Sequence, residues 1–228
     1  MTNNRLDYLK TLVNKNLFLI FGLIVCFPLY FMNALKYSVP LGAAGMFTQM
    51  ASQIADSNFQ LPQEVPFYGP GGVPFAYPPL ALYLLAIFIK LTGKYLIFLR
   101  FLPPLLGLLS FVPLYYITLE ISKSRIAALV SMIIAATSLD IYIAHVWSAG
   151  IVRSTAFILS LVSIYFFSRM TNETNKLNMV MTGVFFGLAL MTHLAYALFC
   201  FLWIWWHSIF SKDAITRIKN SLIASVIG

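Results

Sequence analysis

Charge is scarce in this chain. Only 10% of its 228 residues are Asp, Glu, Lys or Arg, and just seven of them are acidic. A soluble domain carries about 25% charged and about 45–50% apolar residues, whereas here 60% are apolar and the mean hydropathy is +0.84. So few charges cannot make the polar skin that a water-soluble globule of this length needs. The composition therefore predicts a polytopic membrane protein and excludes a disordered chain. Cysteine is nearly absent too. Cys26 and Cys200 both lie in apolar runs and imply neither a disulfide framework nor a metal site. No Walker loop, HExxH, dinucleotide fingerprint or serine elbow occurs, so chemistry driven by ATP is not expected. The net charge of +8 looks like that of a nucleic-acid binder, but the basic residues sit at the ends of apolar runs. That placement reports topology, and no nucleic-acid partner is expected.

A spanning helix needs about 20 apolar residues. Such runs are Leu17–Leu35, Leu99–Leu119, Ile126–Ala144 and Ile151–Ser168, followed by a block of 34 residues, Leu177–Phe210. At about 1.5 Å per residue that block is too long for one span, which predicts two spans meeting near Thr192–His193. No small-residue cleavage site follows the first run, so it does not read as a signal peptide. A further apolar run opens at Asn220 and stops at Gly228, so a longer membrane domain is expected to continue beyond residue 228. The fold class expected is all-α: a polytopic transmembrane helix bundle, with residues 1–228 as one membrane domain.

Ala76–Leu91 is apolar but short, and its positive charges decide how it lies. With a cytoplasmic N-terminus and no crossing by this segment, Arg5, Lys10, Lys15, Lys123, Arg125, Arg169, Lys176, Lys212, Arg217 and Lys219 fall inside, while Lys36, Lys90, Lys94, Arg100 and Arg153 fall outside. If the segment crosses, the bias becomes seven inside to eight outside. The rule that positive charge stays inside selects the first topology, in a cell membrane. Residues 36–98 then form a long outer segment. Ala76–Leu91 would lie at the interface, as would Ala43–Ala55, whose Met46, Phe47, Met50 and Ile54 recur at helical spacing. Between these two membrane-parallel helices, Leu61–Pro74 holds four prolines and three glycines, which predicts an extended, turn-rich loop without regular structure. Long loops of this kind are usually functional or disordered, and the flanking aromatics favour function.

Polar residues beside spans are expensive and are candidates for function. Asp140, His145 and Arg153 bracket the turn between the third and fourth spans, with Tyr142 and Trp147 nearby. Arg153 would clamp a phosphate well; the competing reading is an interfacial belt that only anchors. His193, where two spans meet, could serve as acid, base or phosphate donor, or simply bond a neighbouring helix. His207, in Trp203–His207, reads as belt. The only acids in the outer loop are Asp56 and Glu64; each could bind a divalent metal or remove a proton, or merely be solvated. Tyr77-Pro78-Pro79 could do no more than open a helix.

The arrangement resembles the membrane portion of the GT-C glycosyltransferases: protein mannosyltransferases, lipid A aminoarabinose transferases and their bacterial relatives. The residues that carry the likeness are Phe75-Ala76-Tyr77-Pro78-Pro79-Leu80, then Leu91-Thr92-Gly93, Arg100, the basic turn Lys123-Ser124-Arg125, and Gly187-Leu188-Ala189-Leu190-Met191-Thr192-His193. The resemblance implies an enzyme that transfers a sugar from a polyprenyl-phosphate donor on the outer side of the membrane, with membrane lipids around it. It places Tyr77 where some relatives carry a lysine facing the lipid phosphate, and His193 where they carry a lysine after Met-Thr or Leu-Thr. Arg153 falls near a position that is acidic in the aminoarabinose transferases. With His145 from the turn between the third and fourth spans, the expected substrate-binding residues are Tyr77, His145, Arg153 and His193.

One departure stands out. The family places an Asp, often followed by another acid, just before the first membrane-parallel helix, and here that position is Gly42, followed by Ala43. Three readings follow: a different carboxylate acts (Asp56, Glu64 or Asp140), the chain is an inactive lipid-binding or transport-type relative, or it is a substrate-binding half of a longer enzyme. A transporter would be expected to show paired broken helices with buried ions near the midplane, which the sequence does not suggest. The topology is tested by labelling: Ser57→Cys is expected to react with a membrane-impermeant thiol reagent added outside the cell and Ser122→Cys is not. The reverse pattern inverts the orientation.

Overall fold

The structure is a computed structural model. It describes residues 2–39, 44–66, 69–147, 150–170, 175–210 and 214–227, with side chains described from Asn16 onward except at 44 and 214–217. The elements are α1 Thr2–Lys36, α2 Ala44–Asp56, β1 Glu64–Val65, β2 Val73–Pro74, α3 Leu80–Thr92, α4 Tyr95–Ser122, α5 Arg125–Thr137 and α6 Leu139–Tyr142. A π-helical turn, Ile143–Trp147, follows, and then α7 Gly150–Ser168, α8 Lys176–Leu190, α9 Leu194–Ile209 and α10 Ala214–Ile227. Among the described residues three helices are long and apolar enough to cross a bilayer alone: Asn16–Lys36 within α1, α4 and α7. The all-α, multi-pass bundle expected from composition is what forms.

The helices break where side chains compete for backbone bonds. Ile126–Ala144 was expected as one run, but α5 and α6 meet at a 65° bend. Thr137 donates its hydroxyl back to the Ile133 carbonyl at 2.9 Å, and Ser138 turns extended (φ −66°, ψ 115°). Such back-bonding loosens and bends a helix. The long block divides where its length demands, at Met191–His193. There Thr192 donates to the Leu188 carbonyl at 2.7 Å and His193 goes extended.

The outer segment departs from expectation in two details. The second short helix begins at Leu80, not Ala76, because Pro78 and Pro79 bring no N–H and a residue before proline is disfavoured in helical backbone. Within the proline-rich loop, Glu64 and Val65 pair antiparallel with Pro74 and Val73, so a two-residue ladder forms where no regular structure was expected. Gly72 makes the pairing possible: at φ +84° its backbone passes so near that a Cβ would lie 2.9 Å from the Val65 carbonyl oxygen. At 13 residues each, α2 and α3 reach about 20 Å, short of a ~30 Å hydrocarbon core. They pack on each other through Met50, Ile54, Leu82 and Leu85, and this cluster rests on Leu99 of α4 and on Ile151 and Val152 of α7.

Below that cluster, two apolar cores complete the bundle. Tyr30, Phe111 and Met132 join α1, α4 and α5; Ile117, Ile164, Phe167 and Ile204 join α4, α7 and α9. Small hydroxyl residues let α7 approach its neighbours and bond them, as helices in lipid do. Ser163 donates to the Thr182 carbonyl at 2.8 Å and Ser160 to the Tyr196 carbonyl at 3.1 Å. At the end of the bundle that carries the α2–α3 loop, Arg100 donates to the Ala34 and Leu35 carbonyls and so caps the C-terminus of α1. Asn33 reaches across to the Tyr142 hydroxyl at 2.7 Å.

The tightest approach is at Gly150, where a Cβ would overlap the His145 carbonyl oxygen and sit 2.9 Å from the Pro103 Cβ. Gly150→Ala is therefore expected to destabilise the fold by about 1–3 kcal/mol, read as a lowered Tm in detergent. An unchanged Tm would show that α4 and the π turn can move apart freely.

Candidate functional site

The loop end of the bundle gathers residues from five separate stretches. Tyr77 comes from the lead into α3, His145 from the π turn, Arg153 from the first turn of α7, His193 from the α8–α9 junction and Tyr196 from the first turn of α9. Two contacts hold the α3 lead against the α8–α9 junction. The Leu80 N–H donates to the Met191 carbonyl at 3.0 Å, and the Tyr77 and His193 rings meet edge to face, 6.1 Å between centroids. Phe47 of α2 backs Tyr77 at 5.1 Å.

Tyr196 is the hub. Its hydroxyl shares a 2.9 Å hydrogen bond with His145 Nε2, and its ring lies 5.2 Å from that of His193. His145, only 2% exposed, stacks on Phe157 at 4.5 Å. Beside this pair opens a cavity of about 370 Å³ whose walls are mostly apolar, with Ile141, Phe157 and Phe199 among them. Asp140 and His145 both line it, because the π turn returns them to one wall. π turns often mark functional sites.

Arg153 is the charge common to the cluster, acting on each member after burial. Its charge acts on Tyr77, His145, His193 and Tyr196 alike, yet among the described residues its guanidinium makes no hydrogen bond or ion pair. Burial, and then the Arg153 charge, lower the His193 pKa below the usual histidine value, so the ring is neutral at pH 7. Burial raises the Tyr77 phenol while Arg153 pulls it back. His193 Nδ1 is buried and has no hydrogen-bond partner. What results is a fixed cation at the positive end of a helix, walled by neutral rings: a place for an anion with an apolar body.

Tyr77, His145, Arg153 and His193 thus come together, with Asp140 on the adjoining cavity wall. Asp56 ends α2 and Glu64 sits in β1; both are exposed, and no contact joins either to this group. Gly42 and Ala43 lie outside the described residues. Among the described residues no three His, Cys, Asp or Glu side chains converge as metal ligands. On the cavity wall Asp140 is the one carboxylate among the described residues, and His145 Nε2 is engaged by the Tyr196 hydroxyl. His207 stacks on Trp203 at 4.9 Å, away from the site. Tyr196 and Phe157 escaped the sequence reading. Tyr196 offered one faint signal, its position three residues after His193; Phe157 offered none.

These features define a multi-pass helical membrane protein with a cationic, aromatic-walled site at one end of its bundle. Residues 76–228 match the family described as dolichyl-phosphate-mannose-protein mannosyltransferase. That stretch is well over half of the chain, and the chain belongs to this family: it is a membrane glycosyltransferase of the GT-C type. The matched stretch contains every residue of the cluster and Asp140, but not Asp56 or Glu64. No curated protein and no solved structure matches the chain significantly.

Tyr196→Phe keeps the ring but leaves a buried imidazole nitrogen without its partner. It is expected to cost about 1–2 kcal/mol, measured as a fall in Tm. A Tm equal to that of the parent would mean that the bond contributes nothing.

Proposed function

We propose that this protein transfers a sugar from a polyprenyl-phosphate donor to an acceptor hydroxyl at the extracytoplasmic face of the cell membrane. The observation that carries the reading is Arg153, a cation without a counter-charge among the described residues, in the first turn of α7 and near enough for its charge to act on Tyr77, His193 and Tyr196. The donor offers the matching chemistry, one phosphodiester charge on an apolar chain. The family's own description, a dolichyl-phosphate-mannose user, supports the same donor class. The distribution of lysine and arginine supports a cytoplasmic N-terminus, which turns the loop end outward and lays α2 and α3 along the membrane surface.

In this reading the phosphate lies against Arg153 and the α7 N-terminus. As the bond from sugar C1 to the phosphate oxygen breaks, negative charge grows on that oxygen, where a preorganised cation lowers the barrier most. The rings of Tyr77 and Tyr196 exclude water, which strengthens the interaction. Of the three candidate carboxylates, Asp140 is the one that lines the cavity beside the cluster, and it is the group assigned to accept the acceptor's hydroxyl proton. No metal is given a step.

A second reading is favoured by Gly42-Ala43 standing where the GT-C resemblance calls for an acid: a relative that binds the lipid without transferring the sugar. Turnover and binding of a radiolabelled polyprenyl-phosphate sugar by purified protein separate the two. The transferase reading expects Arg153→Ala to lower kcat/KM by about 10²–10³. Parent protein that binds the donor but never turns it over supports the inactive reading. Unchanged turnover in both Arg153→Ala and His193→Ala removes the site.

A further inference from the structure

The transfer reaction changes the charge at the site. The donor phosphodiester carries one negative charge; the product, a polyprenyl phosphate monoester, has a second pKa near 6 and carries close to two at pH 7. When the C1–O(phosphate) bond breaks, its electron pair stays on the phosphate oxygen. The acceptor oxygen forms the new bond to C1 and loses its proton. Arg153 matches one charge only, so a second positive charge is needed where none is fixed.

We infer that His193 is the proton-carrying ligand of the product phosphate: its Nδ1 is the resting place of the acceptor's proton, whichever group takes it first. The assignment rests on the donor reading above. The groups facing His193 are Tyr77 from the lead into α3, Tyr196 from α9 and Arg153 from α7, with His145 behind Tyr196; no carboxylate acts on it among the described residues. In the empty site the proton is therefore unwelcome, and burial and Arg153 both hold the imidazole neutral. A phosphate dianion set between Arg153 and His193 reverses that balance, since an opposite charge within a few ångströms favours the charged ring. The two histidines are not equivalent. Both keep a buried Nδ1 without a hydrogen-bond partner, but the His145 ring is fixed by its Nε2 bond to the Tyr196 hydroxyl and its stack on Phe157, whereas His193 meets Tyr77 and Tyr196 edge to face. The site would then grip donor with one fixed charge and product with one fixed and one borrowed charge. Product release would be proton-linked, with affinity for the monoester falling as pH rises.

The test compares farnesyl monophosphate with its methyl diester on the purified chain in detergent. Titration calorimetry at pH 7 in two buffers of different ionisation enthalpy counts the protons taken up. The expected result is uptake approaching about one proton for the monoester and near none for the diester, with monoester affinity weakening up to about tenfold per pH unit above pH 7. His193→Gln should bind the monoester more weakly, with the uptake lost; His193→Lys, a fixed cation, should bind it at least as tightly as the parent, again without uptake. Equal uptake with both lipids, or uptake retained in either variant, overturns the assignment and leaves the donor reading intact. Failure of the parent to bind either lipid overturns the donor reading, and this assignment with it.

Discussion

A guanidinium in the first turn of a helix is electrostatically costly. The helix N-terminus already carries about half a positive charge from its free N–H groups, and the side chain adds a whole one. On α7, the most buried of the three long spans, Arg153 accepts that cost with no carboxylate against it among the described residues. Its charge reaches two tyrosines and two histidines, Tyr77, Tyr196, His145 and His193. Such a charge in a low-dielectric setting is fully balanced only when an anion occupies the space beside it. The rest of the loop end serves to keep that space in one shape. Gly150 lets the start of α7 close on the π turn and α4, Arg100 caps α1, and the Leu80–Met191 hydrogen bond fastens α3 to the α8–α9 junction.

The site also depends on where helices stop. Inside a bilayer every backbone group has to be bonded, so a continuous helix presents only side chains and hides its polar ends. Here α5 bends beside Ser138, where Thr137 bonds back to the Ile133 carbonyl, and the α8–α9 pair parts at Met191–His193, where the Thr192 hydroxyl bonds the Leu188 carbonyl. These interruptions supply what an unbroken span cannot: His193 in extended backbone, Tyr196 at the head of a helix, and His145 in a widened turn. The cationic cluster at the loop end and the breaks in the helices are, in this protein, one structural feature.

The α2–α3 pair belongs to the same design. Two helices too short to cross share an apolar face, and that face rests on the first turns of α4 and α7. Tyr77, in the bend before Pro78 and Pro79, brings the loop's contribution to the cluster, while Asp56 and Glu64 stay exposed. The family match begins at Ala76, where the chain turns from this support toward the site.

Much of this was legible in the residues themselves. The four long runs, the two short outer helices and the division of the 34-residue block follow from hydropathy and length, which are sums over neighbours in sequence. Tyr77, His145, Arg153 and His193 stood out because polar side chains are rare in such a chain. What the residues alone left open was which of these meet and what each meets. Nothing local announces that His145 bonds a tyrosine 51 residues later, that Asp140 shares a cavity wall with it while Asp56 and Glu64 do not, or that Arg153 is left without a carboxylate. The bend at Ser138 and the short ladder at Val65 depended likewise on hydrogen bonds and close approaches that form only once the helices pack. Hydropathy and charge act along the chain and set which segments enter the membrane. Hydrogen bonds and ring contacts act across a few ångströms, between residues far apart in sequence, and only the tertiary structure decides them.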